Sequence, residues 1–168
     1  MKYLVLIILA NLLASCWPTS VSFVDGSMPE EWKNFSVKTL ENTAPNAPIS
    51  YAAALSEEIK DGIQNKTKLK LNTTANTGEI QIEGLISNYM VSPIAIQNQD
   101  EASKNRLTIT TSYTIYIKAP KEDEMTLNST RFADYDSNQD FSIIEAQLIS
   151  DINKQIVQDI INKLLSNW

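Results

Sequence analysis

The sequence predicts an α+β fold, in which a mainly antiparallel four-stranded sheet carries two helices packed on one of its faces. The first observation is the stretch from Leu107 to Ile117, where apolar and hydroxyl-bearing residues alternate as in an antiparallel strand buried on one side only. The second is the end of the chain, where apolar residues recur every three to four positions, as in a helix that covers a sheet. The order of predicted elements (strand, helix, strands, helix) is typical of an α+β sandwich.

The first half of the chain supplies one strand and one helix. Phe35, Val37 and Thr39 alternate with polar residues, which predicts the first strand. A helix is predicted to begin between residues 46 and 50 and to end near residues 62–65. Its apolar residues recur at four-residue spacing: Tyr51, Leu55, Ile59 and Ile63.

Several strands follow this helix. Alternating patterns predict strands at residues 66–71, 79–83 and 107–117 and a weaker strand at 125–133. Gly84 marks a predicted bulge, because the apolar phase becomes ambiguous at the residues after it.

The last helix has the strongest helical pattern in the chain. Ser142 and Glu145 form an S-x-x-E capping box, which predicts where the helix begins. One apolar row at four-residue spacing comprises Leu148, Ile152, Ile156, Ile160 and Leu164. The opposite face carries Asp151, Lys154, Asp159 and Lys163. A coiled-coil seam is the alternative, but packing on the one-sided sheet is favoured.

Composition limits the possible functions. The chain has 168 residues, about the length of one domain, with 43% hydrophobic and 20% charged residues. It contains no histidine and one cysteine, which excludes Ser-His-Asp and Cys-His catalysis and metal sites built from clustered cysteines or histidines. The net charge of −6 argues against nucleic acid as a partner, because nucleic acid requires a basic surface. An enzyme would need paired carboxylates in a cleft, and no pattern predicts such a cleft.

The amino terminus indicates a lipoprotein signal. After Lys2, an apolar run from Tyr3 to Leu13 is too short to span a bilayer, for which about 20 apolar residues are needed. The sequence Leu-Ala-Ser-Cys at residues 13–16 ends this region and resembles the lipobox of bacterial lipoproteins. The alternative is an ordinary secretory leader with a chance cysteine. The length of the run, the small residues and the position of the only cysteine together favour the lipobox.

The lipobox resemblance implies how the mature chain is organised. Residues 1–15 form the signal peptide, and Cys16 carries a diacylglyceryl group on its thiol and an acyl chain on its amine. Two or three acyl chains anchor a protein stably, and no other cofactor is expected. Residues 16–32 then form a lipidated tether, and residues 33–168 form a single α+β domain. The residue directly after the cysteine is Trp17 and not aspartate, which resembles an outer-membrane address under the sorting rule of enteric bacteria.

Short strings of packing and turn residues extend along most of the mature chain. They are Ser22-Phe23 with Gly26, the segments 85–89, 93–97, 105–110 and 131–136, and the terminal Asn167-Trp168. Their order and spacing, with the lipobox and the order of elements, resemble the LptE family of small lipoproteins that assist lipopolysaccharide assembly in Gram-negative bacteria.

The resemblance implies a partner and a compartment. Members of the family partner LptD, a large outer-membrane β-barrel, and sit partly inside its lumen as a plug. The chain is therefore expected to be a non-enzymatic, lipid-anchored outer-membrane protein that faces the periplasm, with lipopolysaccharide itself a candidate ligand. The alternatives are a lipoprotein subunit of another cell-envelope complex, or a surface lipoprotein that binds calcium or a glycan.

An acidic segment before the last helix has the spacing of an EF-hand loop. Its candidate calcium ligands include Asp134, Asp136, Asn138, Asp140 and Glu145. Two features argue against calcium: the sixth position is not glycine, and the preceding segment is predicted to be a strand and not a helix. An acidic turn that leads into a helix N-terminus is favoured, and no metal is expected.

Three lysines are a second candidate site. Lys66, Lys68 and Lys70 would share one face of a strand, where their ammonium groups could meet the phosphates of lipid A. The favoured interpretation is a protected sheet edge, because lysines discourage the pairing of exposed strands.

Overall fold

The computed structural model describes residues 28–94 and 103–166. Its elements are β1 (Asn34–Val37), β2 (Glu41–Asn42), α1 (Tyr51–Lys66), β3 (Lys70–Leu71), β4 (Ile80–Ile94), β5 (Lys104–Ile117), β6 (Asp123–Asp136) and α2 (Phe141–Leu165). The predicted signal peptide, Cys16 and most of the predicted tether lie outside the described residues, so those predictions stay as they are.

Within the described residues the sheet is mixed and has six strands, which corrects the predicted four-stranded, mainly antiparallel sheet. The strand order is β3-β1-β4-β5-β6, and β2 lies beside β4 on the same side as β1. β1 is parallel to both β3 and β4, whereas β4, β5 and β6 are antiparallel neighbours. The parallel pairs arise from helix α1. Because this helix returns the chain to the end of the sheet where β1 begins, β3 and β4 run parallel to β1.

The core lies between the sheet and the two helices. All four apolar residues predicted for the first helix are buried, and so is the predicted row of the last helix from Leu148 to Leu164. The sheet contributes the inward side of β5, where Leu107, Ile109 and Ile115 are inaccessible to solvent. Both helices are thus packed on one face, as the sequence predicted.

The helices approach each other closely at Gly62. A Cβ at this position would overlap the Val157 side chain of α2, so the close contact of α1 with α2 depends on the absence of a side chain.

Gly84 has a different role from the predicted one. The irregularity in β4 lies between Ile86 and Asn88, not at the glycine. A Cβ at Gly84 would come within 2.6 Å of Cδ1 of the Tyr113 ring, so the glycine provides space for that ring.

The last helix begins with a different cap from the predicted capping box. Asp140 is the N-cap, and its carboxylate accepts hydrogen bonds from the backbone N–H of Ser142 at 2.9 Å and from its hydroxyl at 2.8 Å. Glu145 instead accepts a hydrogen bond of 2.6 Å from the hydroxyl of Tyr89 on β4. The hydrogen bond between Tyr89 and Glu145 therefore takes the place of the predicted capping box between Ser142 and Glu145.

Candidate functional site

The face of the sheet opposite the helices is open and carries uncharged polar side chains along its centre. Thr110, Ser112 and Thr114 of β5 lie on this face, each opposite a polar residue of β6. The hydroxyl oxygens of Thr110 and Thr130 are 3.2 Å apart. The alternation predicted for 107–117 is confirmed, since the other side of β5 is buried.

One end of the open face combines an aromatic ring with an ion pair. The Arg106 guanidinium lies 3.6 Å from the centre of the Phe132 ring, which is 46% exposed. It also donates two hydrogen bonds to Asp134, at 2.6 and 2.8 Å. These hydrogen bonds from Arg106 hold the pKa of the Asp134 carboxyl below its usual value.

The candidate calcium ligands do not converge on one point. The Asp134 carboxylate accepts hydrogen bonds from Arg106, and the Glu145 carboxylate accepts one from Tyr89. The Asp140 carboxylate caps α2. Asp136 still belongs to β6, which confirms that the segment before the acidic turn is a strand. Within residues 28–94 and 103–166, no three acidic or thiol side chains lie close enough together to hold a metal ion.

The three candidate lysines do not share a strand face, which corrects the prediction. Lys66 is the last residue of α1, and its Nζ donates a hydrogen bond of 3.1 Å to Oε1 of Gln158. The helix extends this far because the hydroxyl and backbone N–H of Thr67 both bond to the carbonyl of Ile63. Only Lys70 belongs to a strand, the two-residue β3.

Lys68 and Lys70 line a depression of about 450 Å³ together with Lys33, beside the point where the described chain begins. Trp32 anchors this end of the domain, because its ring N–H donates a hydrogen bond of 2.8 Å to the carbonyl of Ala119. Lys70 lies on the outermost strand of the sheet, which is the position that edge protection requires.

The opposite outer strand, β6, is held to α2 by an ion pair that sequence reasoning missed. Arg131 donates hydrogen bonds from Nε, at 2.7 Å, and from Nη2 to the Asp159 carboxylate. Ser129 donates a third, at 2.5 Å. Burial by itself would raise the pKa of Asp159, but the hydrogen bonds from Arg131 and Ser129 keep it below the usual value. The sequence placed Asp159 on a solvated helix face, and no local signal indicates a partner 28 residues away.

A second missed feature is a polar cluster between the helices. Asn153 is fully buried on the apolar side of α2, accepts a hydrogen bond of 2.7 Å from the Tyr51 hydroxyl and donates one of 2.9 Å to Glu58. Burial raises the pKa of Tyr51 well above its usual value, so this hydroxyl stays protonated and donates. An asparagine within an apolar row is the signal that could have indicated such a cluster.

A family comparison decides among the functions that these surfaces allow. The LptE family model, whose description is lipopolysaccharide-assembly, matches residues 32–164. The chain belongs to the LptE family. The resemblance found from the short sequence strings is therefore confirmed, and this LptE-family chain is a lipopolysaccharide-assembly protein of the cell envelope. Among curated proteins, none matches it significantly.

Solved structures of low sequence identity resemble this LptE-family chain. A minor lipoprotein from Acinetobacter baumannii has 14% identity, a TM-score of 0.49, and coverage of 81% of this chain and 94% of that one. The rare lipoprotein B from Shewanella oneidensis has 10% identity, a TM-score of 0.48, and coverage of 80% and 95%. Lipoprotein B from Nitrosomonas europaea has 17% identity, a TM-score of 0.47, and coverage of 80% and 82%.

In the described part of this LptE-family chain, neither helix combines the length and the apolar character that a membrane span requires.

Proposed function

We propose that this LptE-family chain is an outer-membrane lipoprotein that faces the periplasm and acts as plug and assembly partner of an LptD-type β-barrel. The family match supports a role in lipopolysaccharide assembly. The open sheet face is the observation that carries the finer proposal, because a plug in a water-filled lumen must present polar groups to water and to the lumen wall.

The open face suits such a lumen because its side chains from residues 108 to 114 of β5 and from 126 to 130 of β6 are hydroxyls and amides without charge, and Glu83 of the neighbouring β4 is paired with Lys38. Thr110 and Thr130 already contact each other, and Ser112 lies opposite Asn128. These groups can exchange hydrogen bonds between water and a polar wall at little cost in free energy. The charged residues Arg106 and Asp134 neutralise each other at the rim of this face.

The lipid anchor proposed at Cys16 would raise the local concentration of the chain near the barrel, and Cys16 would not act as a nucleophile. A chain held at the inner leaflet by two or three acyl chains meets a barrel in the same membrane at a high effective concentration. The described surface would then need only modest affinity to stay in place.

Affinity purification of the full-length chain from detergent-solubilised membranes tests the proposal. We expect a stoichiometric LptD-type barrel to copurify, and mass spectrometry to show diacylglyceryl and N-acyl groups on Cys16. A Cys16→Ser variant, which lacks the thiol but keeps the domain, is expected to carry neither lipid group and to retain much less barrel. Purification of a lipid-free wild-type chain, or of a different envelope complex, would contradict the proposal.

A further inference from the structure

Strand β6 forms one outer edge of the sheet for its entire length. It has 14 residues, and its ladder with β5 extends from Asp123 to Asp136 without a shift in register. Among the described residues no strand pairs with its other side. Alternate N–H and C=O groups along that side are therefore available to another strand.

The centre of β6 lacks the devices by which proteins usually block such an edge. Residues 125–133 contain no proline, glycine or lysine. Their one charged side chain, Arg131, is directed to the helix side, where the Asp159 carboxylate neutralises it. The edge is thus long, regular and free of unpaired charge at its centre.

A groove accompanies this edge on the helix side. Residues 127–131 of β6 line an open groove of about 480 Å³, together with Asp159, Asn162 and Lys163 of α2 and the C-cap residue Ser166. A second cavity of about 300 Å³ continues toward the other end, between residues 134–136 and Leu148 of α2. A strand edge with a helix alongside is the geometry in which domains accept an extended peptide by strand addition.

Charge argues against a second copy of this chain as the occupant. In an antiparallel β6–β6 pair centred near the middle of the strand, residues that face the same side of the sheet lie opposite each other, so Glu124 of one copy would lie opposite Asp134 or Asp136 of the other. Like charges directly opposite each other destabilise a ladder. The same acidic ends favour a foreign strand with lysine or arginine near its ends.

We propose that the free edge of β6 docks an extended segment of the barrel partner by strand addition, with basic residues of that segment near the acidic ends of β6. The inference rests on the proposed function, which supplies the partner. The groove beside α2 would receive every second side chain of the docked segment, and the other side chains would extend the open face of the sheet.

Amide hydrogen exchange on the lipidated chain, alone and in complex with the copurified barrel, tests this proposal. We expect exchange at every second amide of residues 125–133 to slow by at least about tenfold in the complex, because strand addition engages alternate N–H groups. The amides of Lys70 and Leu71 on the opposite edge are expected to change little. A barrel that copurifies without changing the exchange of β6 would overturn this inference and leave the proposed function standing. Failure of any barrel to copurify would overturn both.

Two matched lysine variants separate edge docking from face docking. Asn128 on β6 and Ser112 on β5 lie opposite each other, with both side chains on the open face. We expect Asn128→Lys to reduce the barrel retained about tenfold, because a lysine at the edge blocks strand pairing as well as changing the open face, and Ser112→Lys, which changes the open face alone, to reduce it by at most about threefold. Circular dichroism of both variants checks that the fold is kept, and alternate-amide protection in the wild-type complex decides the proposal if either variant unfolds. Equal loss in both variants would assign docking to the face. Concentration-dependent protection of β6 in the isolated chain would assign it to self-association.

Discussion

The two outer edges of this sheet differ in how much unpaired strand backbone they expose. On one side the strands are short, since β1 has four residues and β3 has two, and Lys33, Lys68 and Lys70 line a depression beside them. On the other side β6 extends over 14 residues with no lysine, and a groove runs between its residues 127–131 and the C-terminal end of α2. Backbone groups at an exposed edge attract other strands, so the short basic edge is protected and the long one is available. This difference is the reason why we place the proposed partner strand at β6.

The largest expected difference between the two sides of the sheet is in their contribution to stability. Phe35 on β1 is inaccessible to solvent, whereas Leu127 on β6 is only partly buried. We expect Phe35→Ala to lower the free energy of unfolding by about 4 kcal/mol and Leu127→Ala to lower it by about 1 kcal/mol. Urea unfolding of the two variants measures both values. Equal losses would show that β6 is anchored as firmly as β1.

The attachment of β6 to α2 is expected to depend on Asp159. Removal of this carboxylate in Asp159→Ala leaves the inward-facing Arg131 and the Ser129 hydroxyl without their partner. We expect a loss of about 2 kcal/mol, a moderate value because solvent reaches part of the Arg131 side chain. Asp151→Ala on the exposed face of the same helix is the matched control, with an expected change below about 0.5 kcal/mol. If Asp159→Ala leaves the free energy of unfolding unchanged, the ion pair does not stabilise the attachment of β6 to α2.

The same attachment is expected to weaken in acid. The folded-state pKa of Asp159 is below its usual value, so its stabilising contribution is fully present above the unfolded-state pKa of about 3.9. The contribution is lost as the pH falls from there through the folded-state pKa. We expect the stability difference between the wild type and Asp159→Asn to shrink between pH 6 and pH 2, as measured by urea unfolding. A difference that stays constant with pH would contradict this.

The smallest expected effect concerns the basic edge. Replacement of Lys68 and Lys70 by threonine should change the free energy of unfolding by less than about 0.5 kcal/mol, because neither side chain belongs to the buried core. We expect the double variant to self-associate more than the wild type in sedimentation experiments, since its edge has lost two protecting charges. Charge reversal at both positions is expected to leave lipopolysaccharide binding unchanged. Loss of that binding would favour the alternative role, in which the lysines meet lipid A phosphates.

Local periodicity explains which elements could be predicted. The rows of α1 and α2 and the alternation of β5 were predictable, because one face of each element lies against a continuous core. Residues 66–71 were predicted as a strand but begin within a helix. The alternation of Lys66 to Lys70 fits a strand, but the Thr67 bonds to Ile63 keep the chain helical as far as Lys66.

The candidate sites were less predictable than the fold, because they depend on pairing between distant segments. The acidic segment had the spacing of a calcium loop, yet Arg106 and Tyr89 from other strands occupy two of its carboxylates. The sequence predicted a solvated Asp159, but in the folded chain β6 places Arg131 within hydrogen-bond distance of it.

By itself the sequence determined the α+β class, the faces of the helices and of β5, and the LptE-family resemblance, because each depends on local spacing or on the order of short strings. Only the tertiary structure decided that β1 is parallel to β4, that the lysines separate, and that β6 forms a long free edge beside α2. Strand order and ion pairs are set by which distant segments bury the most apolar surface together, and no local pattern records that outcome.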